Sequence, residues 1–196
     1  MISLLRPALA LLAVMTLLTG LIYPALVTGI GQILFPEQAN GTLIRIDGEV
    51  AGSGLIGQPF SSPRYFWGRP SATAPYPYNA AASAGSNLAQ ANPALLQSVQ
   101  ARIEALRSAD PGNTAPIPVD LVTASGSGLD PDISLAAARF QIPRVARARG
   151  LREPLVRALV DEHVAGRTLG LLGEPRVNVL DLNLALDHEG RFGPND

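Results

Sequence analysis

The chain has no cysteine and no lysine. Without thiols there can be no disulfide, no zinc-thiolate centre and no thiol nucleophile. Without lysine, the phosphate loop that needs a Lys on its nucleotide is excluded. Schiff-base chemistry and Ser-Lys dyads go with it. All fifteen basic residues are arginine, against sixteen acidic ones, for a net charge of -1. That balance gives no broad basic field for nucleic acid. Histidine is scarce: His163 and His188 stand 25 positions apart, which is no zinc signature, and no metal ligand set is expected. His163 reads as a helix-end residue. No G-x-S-x-G elbow occurs; Ser53 and Ser127 lie between glycines but lack the outer ones, which suits turns. Gly52-Ser53-Gly54 lacks the rest of either nucleotide motif. Asp130 and Asp132 flank Pro131, the pattern of a turn and helix cap rather than of an acid/base pair. No catalytic residue is expected.

Charge is also absent from one long run. From Pro7 to Pro36 no residue is charged. As a helix, Ala8 to Phe35 would span about 42 Å, against a hydrocarbon core of about 30 Å. The run is too long for a cleaved signal peptide and has no clear small-x-small cleavage site. It also lacks the polar face of a soluble core helix. It predicts one membrane span. No span residue is ionisable at neutral pH, so the helix alone carries no ion or proton relay. Thr16, Gly20, Pro24, Thr28 and Gly31 recur along one side, a small-residue face suited to a partner helix. Pro24 removes a backbone hydrogen bond to Gly20 and predicts a kink. Only Arg6 and the terminal amine are positive before the span, and Glu37, Arg45, Asp47 and Glu49 follow it. The positive-inside rule then places the N-terminus in the cytoplasm and exports the rest.

What remains is about 160 residues of ordinary composition, enough for one domain with its own core. Leu43–Ile46 and Glu49–Val50 read as strands around an Asp47-Gly48 turn. The stretch from Gln58 to Asn87 holds Phe60, Tyr65, Phe66, Trp67, Tyr76 and Tyr78 among several prolines and shows no period. Its aromatics argue against disorder, so it reads as an ordered loop that docks on something, with Phe60, Arg64, Tyr65, Phe66, Trp67 and Arg69 as the docking residues. Asn92-Pro93 starts a helix with Leu96, Val99, Ile103 and Leu106 on one face. Pro118 to Ala124 reads as a strand. Short helices are expected over Ser134–Gln141, from Pro143 to Gly150, and from Arg152 to Ala165, the last burying Leu155, Leu159 and Val160 and closed by Gly166. Pro175 to Leu180 reads as a last strand and Leu182 to Leu186 as a short helix. Strands and helices mix without βαβ alternation, so the expected class is α+β: one N-terminal transmembrane helix, then a single mixed exported domain with a small sheet and several short helices.

One cluster stands out. Arg139, Arg144, Arg147, Arg149, Arg152 and Arg157 lie within nineteen residues, with Glu153 the only acid among them. It could grip phosphates or an acidic partner surface, or form a solvated helix face. The residues themselves therefore lead to a membrane-anchored, exported, non-catalytic domain with a partner helix. A free-standing binding module built on the Tyr65–Tyr78 aromatics stays open, as does an anchored hydrolase resting on Ser127 and His163.

Five segments together carry a resemblance: GQPFSSPRYFWGRPSA from Gly57, YNAAASAGSNLAQANPAL from Tyr78, SGLDPDIS from Ser127, QIPRVARARGL from Gln141 and LGLLGEPRVNVLDLNLAL from Leu169. They resemble the C subunit of the Kdp potassium-transporting P-type ATPase, the KdpC family, over nearly the whole chain. The resemblance implies a cytoplasmic N-terminus at 1–6, a transmembrane helix at 7–35 and a periplasmic domain at 36–196, in the inner membrane of a bacterium. It implies a non-catalytic subunit that assembles the pump and raises the ATP affinity of the hydrolysing subunit. The implied partners are a channel-like potassium-binding subunit (KdpA), the P-type ATPase subunit (KdpB) and a small single-span subunit (KdpF). No tightly bound cofactor is implied, only ATP in a transient complex with the ATPase subunit. Gln141 is the residue the resemblance links to nucleotide. An exported domain does not meet cytoplasmic ATP, however, and a cap on the outer mouth of the channel subunit is the alternative.

Overall fold

The computed structural model describes residues 2–46 and 48–191. Two compact units divide at Ala51 and Gly52. The first is dominated by the uncharged run. It folds as α1 (Ile2–Leu17), a π-helical turn (Leu18–Ile22) and α2 (Tyr23–Leu34). Leu4–Leu34 is long and apolar enough to cross a membrane, with a mean hydropathy of 2.1. The π-helical turn answers the proline. Pro24 cannot donate to Gly20, and the Tyr23 N–H reaches back five residues to the Leu18 carbonyl, so the bonding register shifts just before the proline ring arrives. The Thr19 hydroxyl adds a bond to the Met15 carbonyl at 2.7 Å. A short α3 (Pro36–Ala39) follows, then β1 (Leu43–Ile46) paired with β2 (Glu49–Ser53). The Asp47-Gly48 turn between them includes Asp47, which lies outside the described residues.

The second unit is α+β. Its elements are α4 (Pro93–Ala109), β3 (Asp132–Ser134), α5 (Leu135–Arg149), α6 (Glu153–Glu162), β4 (Val164–Ala165), β5 (Arg176–Asn178) and α7 (Val179–Arg191). The sheet is small and antiparallel, with β5 between β3 and β4. Ile133 and Val164 both face Val177 in the register, and the buried Ile133 and Val177 join the sheet to the core. That core is filled by Ile142, Val145 and Ala146 of α5, Val156 and Val160 of α6, and Leu182 and Leu186 of α7.

Helix ends follow local chemistry. Asn92 accepts from the Ala94 N–H at 2.9 Å and caps α4. Ser134 accepts from the Ala137 N–H at 3.0 Å and caps α5. Gly150 ends α5 in the left-handed region, at φ 68°. His163 caps the end of α6, its ring Nδ1 2.8 Å from the Leu159 carbonyl.

Several expectations from sequence fail, among them the burial of Leu155, which is only half-buried on α6. Pro118 to Ala124 is no strand; it holds a single 3₁₀ turn at Val119–Leu121 that tucks Leu121 into the core. Pro143 does not separate two helices but lies inside α5. An interior proline costs about 3 kcal/mol; the fully buried Ile142, Val145 and Ala146 around it outweigh that. Helix α6 stops at Glu162, and Val164–Ala165 leaves it to form β4. Val179 and Leu180 belong to α7, which is longer than the segment 182–186. On α4, only Leu106 of the apolar face is buried; Leu96 and Ile103 are exposed.

Candidate functional site

The segment from Gln58 to Asn79 has almost no regular structure, so its backbone groups lack ladder partners and must be bonded some other way. Side chains bond them, almost residue by residue. The Phe66 N–H donates to Asn183 Oδ1 at 2.8 Å, and Asn183 Nδ2 donates back to the Phe66 carbonyl at 3.0 Å. Gln141 repeats the arrangement one residue on. Its Oε1 accepts from the Trp67 N–H at 2.8 Å, and its Nε2 donates to the Trp67 carbonyl at 3.1 Å. Two buried amides, on α7 and α5, thus stand in for a missing neighbouring strand.

Arginines bond the flanking carbonyls. Arg144 Nη1 donates to the Pro63 carbonyl at 2.6 Å and Arg149 Nε to the Arg64 carbonyl at 2.7 Å. Arg102 Nη2 donates to the Gly68 carbonyl at 2.9 Å. Trp67 Nε1 donates to the Ser62 carbonyl at 2.8 Å and the Tyr78 hydroxyl to the Arg69 carbonyl at 2.5 Å. The same guanidinium groups lie over the aromatic rings: Arg144 at 4.6 Å and Arg102 at 5.2 Å from the Trp67 centroid, Arg149 at 4.8 Å from that of Tyr65. Asp187 closes the end, accepting from Arg149 at 2.7 Å and from the Tyr65 hydroxyl at 3.1 Å. Phe60 tilts against Tyr65 at 5.2 Å.

This arrangement answers the docking expectation for the segment. Phe66 and Trp67 are 0% and 7% exposed: they dock on the chain's own core. Phe60, Tyr65 and Arg69 are half-buried, and Arg64 is exposed. The arginine cluster does not converge on one anion site. Arg139 pairs with Asp161, Arg147 with the buried Asp110 and Arg149 with Asp187. Arg144 is buried among the clamp, while Arg152 and Arg157 are exposed. Gln141 is 1% exposed. Besides Trp67, its Oε1 accepts from Arg144 Nη2 at 2.6 Å and its Nε2 reaches the Ala137 carbonyl at 3.3 Å. Both donors and both acceptor positions of the amide are therefore engaged. Asn183, Arg102 and Arg144 were not singled out for this work in the sequence. An Asn inside the apolar run Leu180–Leu186 was the available signal, because a polar residue buried in such a run needs a dedicated partner.

Burial dominates the electrostatics. Desolvation lowers Arg144 to about 10, with Arg102 pushing the same way and Asp110 opposing. Arg102 is also lowered by burial, against the pull of Tyr78, and burial raises Tyr78. Among the described residues neither Arg102 nor Arg144 has a carboxylate in ion-pair contact. Both remain cationic at neutral pH and lean on carbonyl dipoles and the indole face instead.

The acids Asp120, Asp130 and Asp132 near β3 are all engaged. Asp120 accepts from the Ser134 N–H at 2.8 Å, Asp130 pairs with Arg69 at 3.0 Å and Asp132 with Arg176 at 2.9 Å. Burial lifts Asp132 above the usual carboxylate range; Arg176 opposes and Asp130 reinforces. A carboxyl raised in the folded state favours folding at low pH, and the contribution is lost as pH rises through its raised pKa. Asp132→Asn is therefore expected to gain stability on the wild type between about pH 4 and neutrality, by no more than about 1 kcal/mol since Arg176 loses a half-exposed pair. Urea midpoints at the two ends of that window check it; an unchanged difference would contradict the shift.

No group of three or more His, Asp or Glu among the described residues is placed to hold a metal. Ser127 Oγ accepts locally from the Leu129 N–H at 3.1 Å, and among the described residues no hydrogen bond joins it to His163. On the span, Leu9, Leu12, Ala13, Thr16, Leu17, Gly20 and Leu21 line a shallow apolar groove of about 590 Å³. Thr16 and Gly20 of the small-residue face belong to it; Pro24, Thr28 and Gly31 lie further along.

The chain thus joins an apolar helix long enough to cross a membrane to an α+β unit whose irregular aromatic segment is clamped by its own arginines. Comparison with known proteins identifies the class. The family described as "K+-transporting ATPase, c chain" (KdpC) matches residues 5–188. The potassium-transporting ATPase KdpC subunit of Methylococcus capsulatus is 66% identical over 187 residues, 95% of this chain and 98% of that protein. The KdpC subunit of Methylibium petroleiphilum is 68% identical over 185 residues, 94% and 97% of the two chains. That of Herpetosiphon aurantiacus is 65% identical over 182 residues, 93% and 94%. The chain belongs to the KdpC family, the c chains of potassium-transporting ATPases.

Proposed function

We propose that this chain is a non-catalytic subunit of an ATP-driven potassium uptake pump, holding the assembly together from an inner-membrane anchor. The observation that carries the reading is family membership over nearly the full chain. The N-terminus is cytoplasmic and the second unit periplasmic, a reading that rests on the charge asymmetry around the span. Its partners are the channel-like potassium-binding subunit, the P-type ATPase subunit and the small single-span subunit. The span contributes packing rather than conduction, since it is uncharged and carries an apolar groove.

The chain raises the ATP affinity of the hydrolysing subunit through the partner chains, not by holding nucleotide. Two features support the indirect route. The chain has no phosphate loop, and Gln141 already spends its hydrogen bonds on Trp67, Arg144 and Ala137. Gln141 then acts by positioning the clamped segment.

Co-expression of a tagged full chain with the other pump subunits tests the proposal. The channel-like and ATPase subunits should co-purify, and omission of the chain should raise the KM for ATP. Purification of the tagged chain alone would overturn it. The groove makes its own prediction. A Cβ at Gly20 would meet nothing closer than the Thr16 methyl at 4.0 Å, so Gly20→Leu leaves the helix intact but fills the groove. Recovery of the complex should fall at least about fivefold, equivalent to about 1 kcal/mol of assembly free energy. Undiminished recovery would remove the groove from the interface.

A further inference from the structure

The connection from β4 to β5 is a closed hairpin with an apolar tip. Thr168 and Leu172 exchange both backbone hydrogen bonds, at 2.8 and 3.0 Å. Arg167 Nη2 lies 2.9 and 2.8 Å from the two carboxylate oxygens of Glu174 and staples the base. Leu169, Leu171 and Leu172 are left 87%, 80% and 63% exposed. Leu169 is also held at φ 55°, in the left-handed region that a branched side chain rarely adopts. The backbone is thus fixed in a costly conformation, and the side chain it presents goes to solvent. Nothing in the clamp or the sheet uses that side chain.

We propose that the Leu169, Leu171 and Leu172 tip is a preformed knob that seats in an uncharged, apolar cleft of another subunit of the potassium-transporting ATPase. The inference rests on the subunit reading above. Charge selects the occupant. Arg167 and Glu174 cancel each other, and the neighbouring Arg176 is paired with Asp132 at 2.9 Å. The tip therefore offers no free cation to lipid headgroups, and residues 166–174 contain no aromatic residue. Loops that dip into bilayers use aromatic and cationic anchors at the interface. Shape points the same way. A fluid bilayer accepts any apolar shape and needs no stapled, strained hairpin. A packed protein cleft rewards a knob already in its bound conformation.

The test uses the full chain co-expressed with the other pump subunits. The triple variant Leu169→Ser, Leu171→Ser, Leu172→Ser should retain at least tenfold less of those subunits through purification. Its thermal unfolding midpoint in detergent should stay at or above the wild-type value, because the exchanged side chains face solvent. A photo-crosslinking residue at position 171 of the otherwise wild-type chain reads the occupant independently of how the triple variant folds. Crosslinks to another pump subunit support the knob. Crosslinks to lipid alone, to a second copy of the chain or to nothing overturn it, as does undiminished retention of the triple variant. If the wild-type chain captures none of the pump subunits, the subunit reading falls and the knob with it. If the wild type and the triple variant capture them equally, only the knob falls.

Discussion

Trp67→Ala is expected to destabilise the second unit by about 3–5 kcal/mol, the usual cost of emptying a buried aromatic site. That is a large share of a typical folding free energy of about 5–15 kcal/mol. The indole is 7% exposed, and its Nε1 is the donor to the Ser62 carbonyl. Two guanidinium groups, Arg102 and Arg144, lie over the ring, neither with a carboxylate in ion-pair contact among the described residues. Removing the ring therefore leaves two desolvated cations without their platform, in addition to the cavity. The main-chain bonds from Trp67 to Gln141 survive in the variant, so the loss isolates the ring from the backbone bracket. Trp67→Phe keeps a face for the arginines and forfeits the Ser62 bond, for an expected loss of about 1–2 kcal/mol. Chemical denaturation followed by circular dichroism separates the two, since fluorescence disappears with the chain's one tryptophan. An alanine variant within about 1 kcal/mol of wild type would mean that the indole is not the support of the clamp.

The clamp also explains which parts of this molecule were legible in the sequence. The span, the Asn92 cap, the Gly150 stop and the β1–β2 pairing are local: each is settled by residues a few positions apart. The mixed class followed from the same local signals. The site did not, because its partners are distant. Gln141 brackets Trp67 across 74 positions and Asn183 brackets Phe66 across 117. Composition marked the aromatic segment as ordered, but not that its order comes from α5 and α7. The arginine cluster looked like one feature because it is contiguous in sequence. The α5 helix turns four of its members in different directions, Arg144 into the clamp and Arg139, Arg147 and Arg149 toward Asp161, Asp110 and Asp187, while Arg152 and Arg157, at and within α6, are exposed. Pro118 to Ala124 misled for the opposite reason. Its apolar residues suit a strand, but β5 is already flanked by β3 and β4, and the segment serves instead to drop Leu121 into the core.

Gln141 allows the positioning role to be told from nucleotide contact. Gln141→Leu keeps the side chain's volume and strips the Trp67 N–H, the Trp67 carbonyl and Arg144 Nη2 of their partner at once. Each stranded buried group costs about 1–3 kcal/mol, so the expected loss is about 3 kcal/mol or more. Gln141→Glu is gentler. A carboxylate still accepts from the Trp67 N–H and gains an ion pair with Arg144, whose Nη2 already sits 2.6 Å from Oε1. It loses donation to the Trp67 and Ala137 carbonyls and sets an acceptor oxygen against them, for an expected cost of about 1–2 kcal/mol. The stability order is then Gln, Glu, Leu. In the assembled pump, a glutamine that works by holding Trp67 predicts the same order for recovery of the complex, with the Glu variant's KM for ATP within about twofold of wild type. A glutamine that touches nucleotide predicts otherwise. A carboxylate facing phosphate would raise that KM sharply, although the Glu variant stays folded and assembled. A raised KM at wild-type recovery would overturn the positioning role; the stability order with an unmoved KM is what the bracket geometry requires.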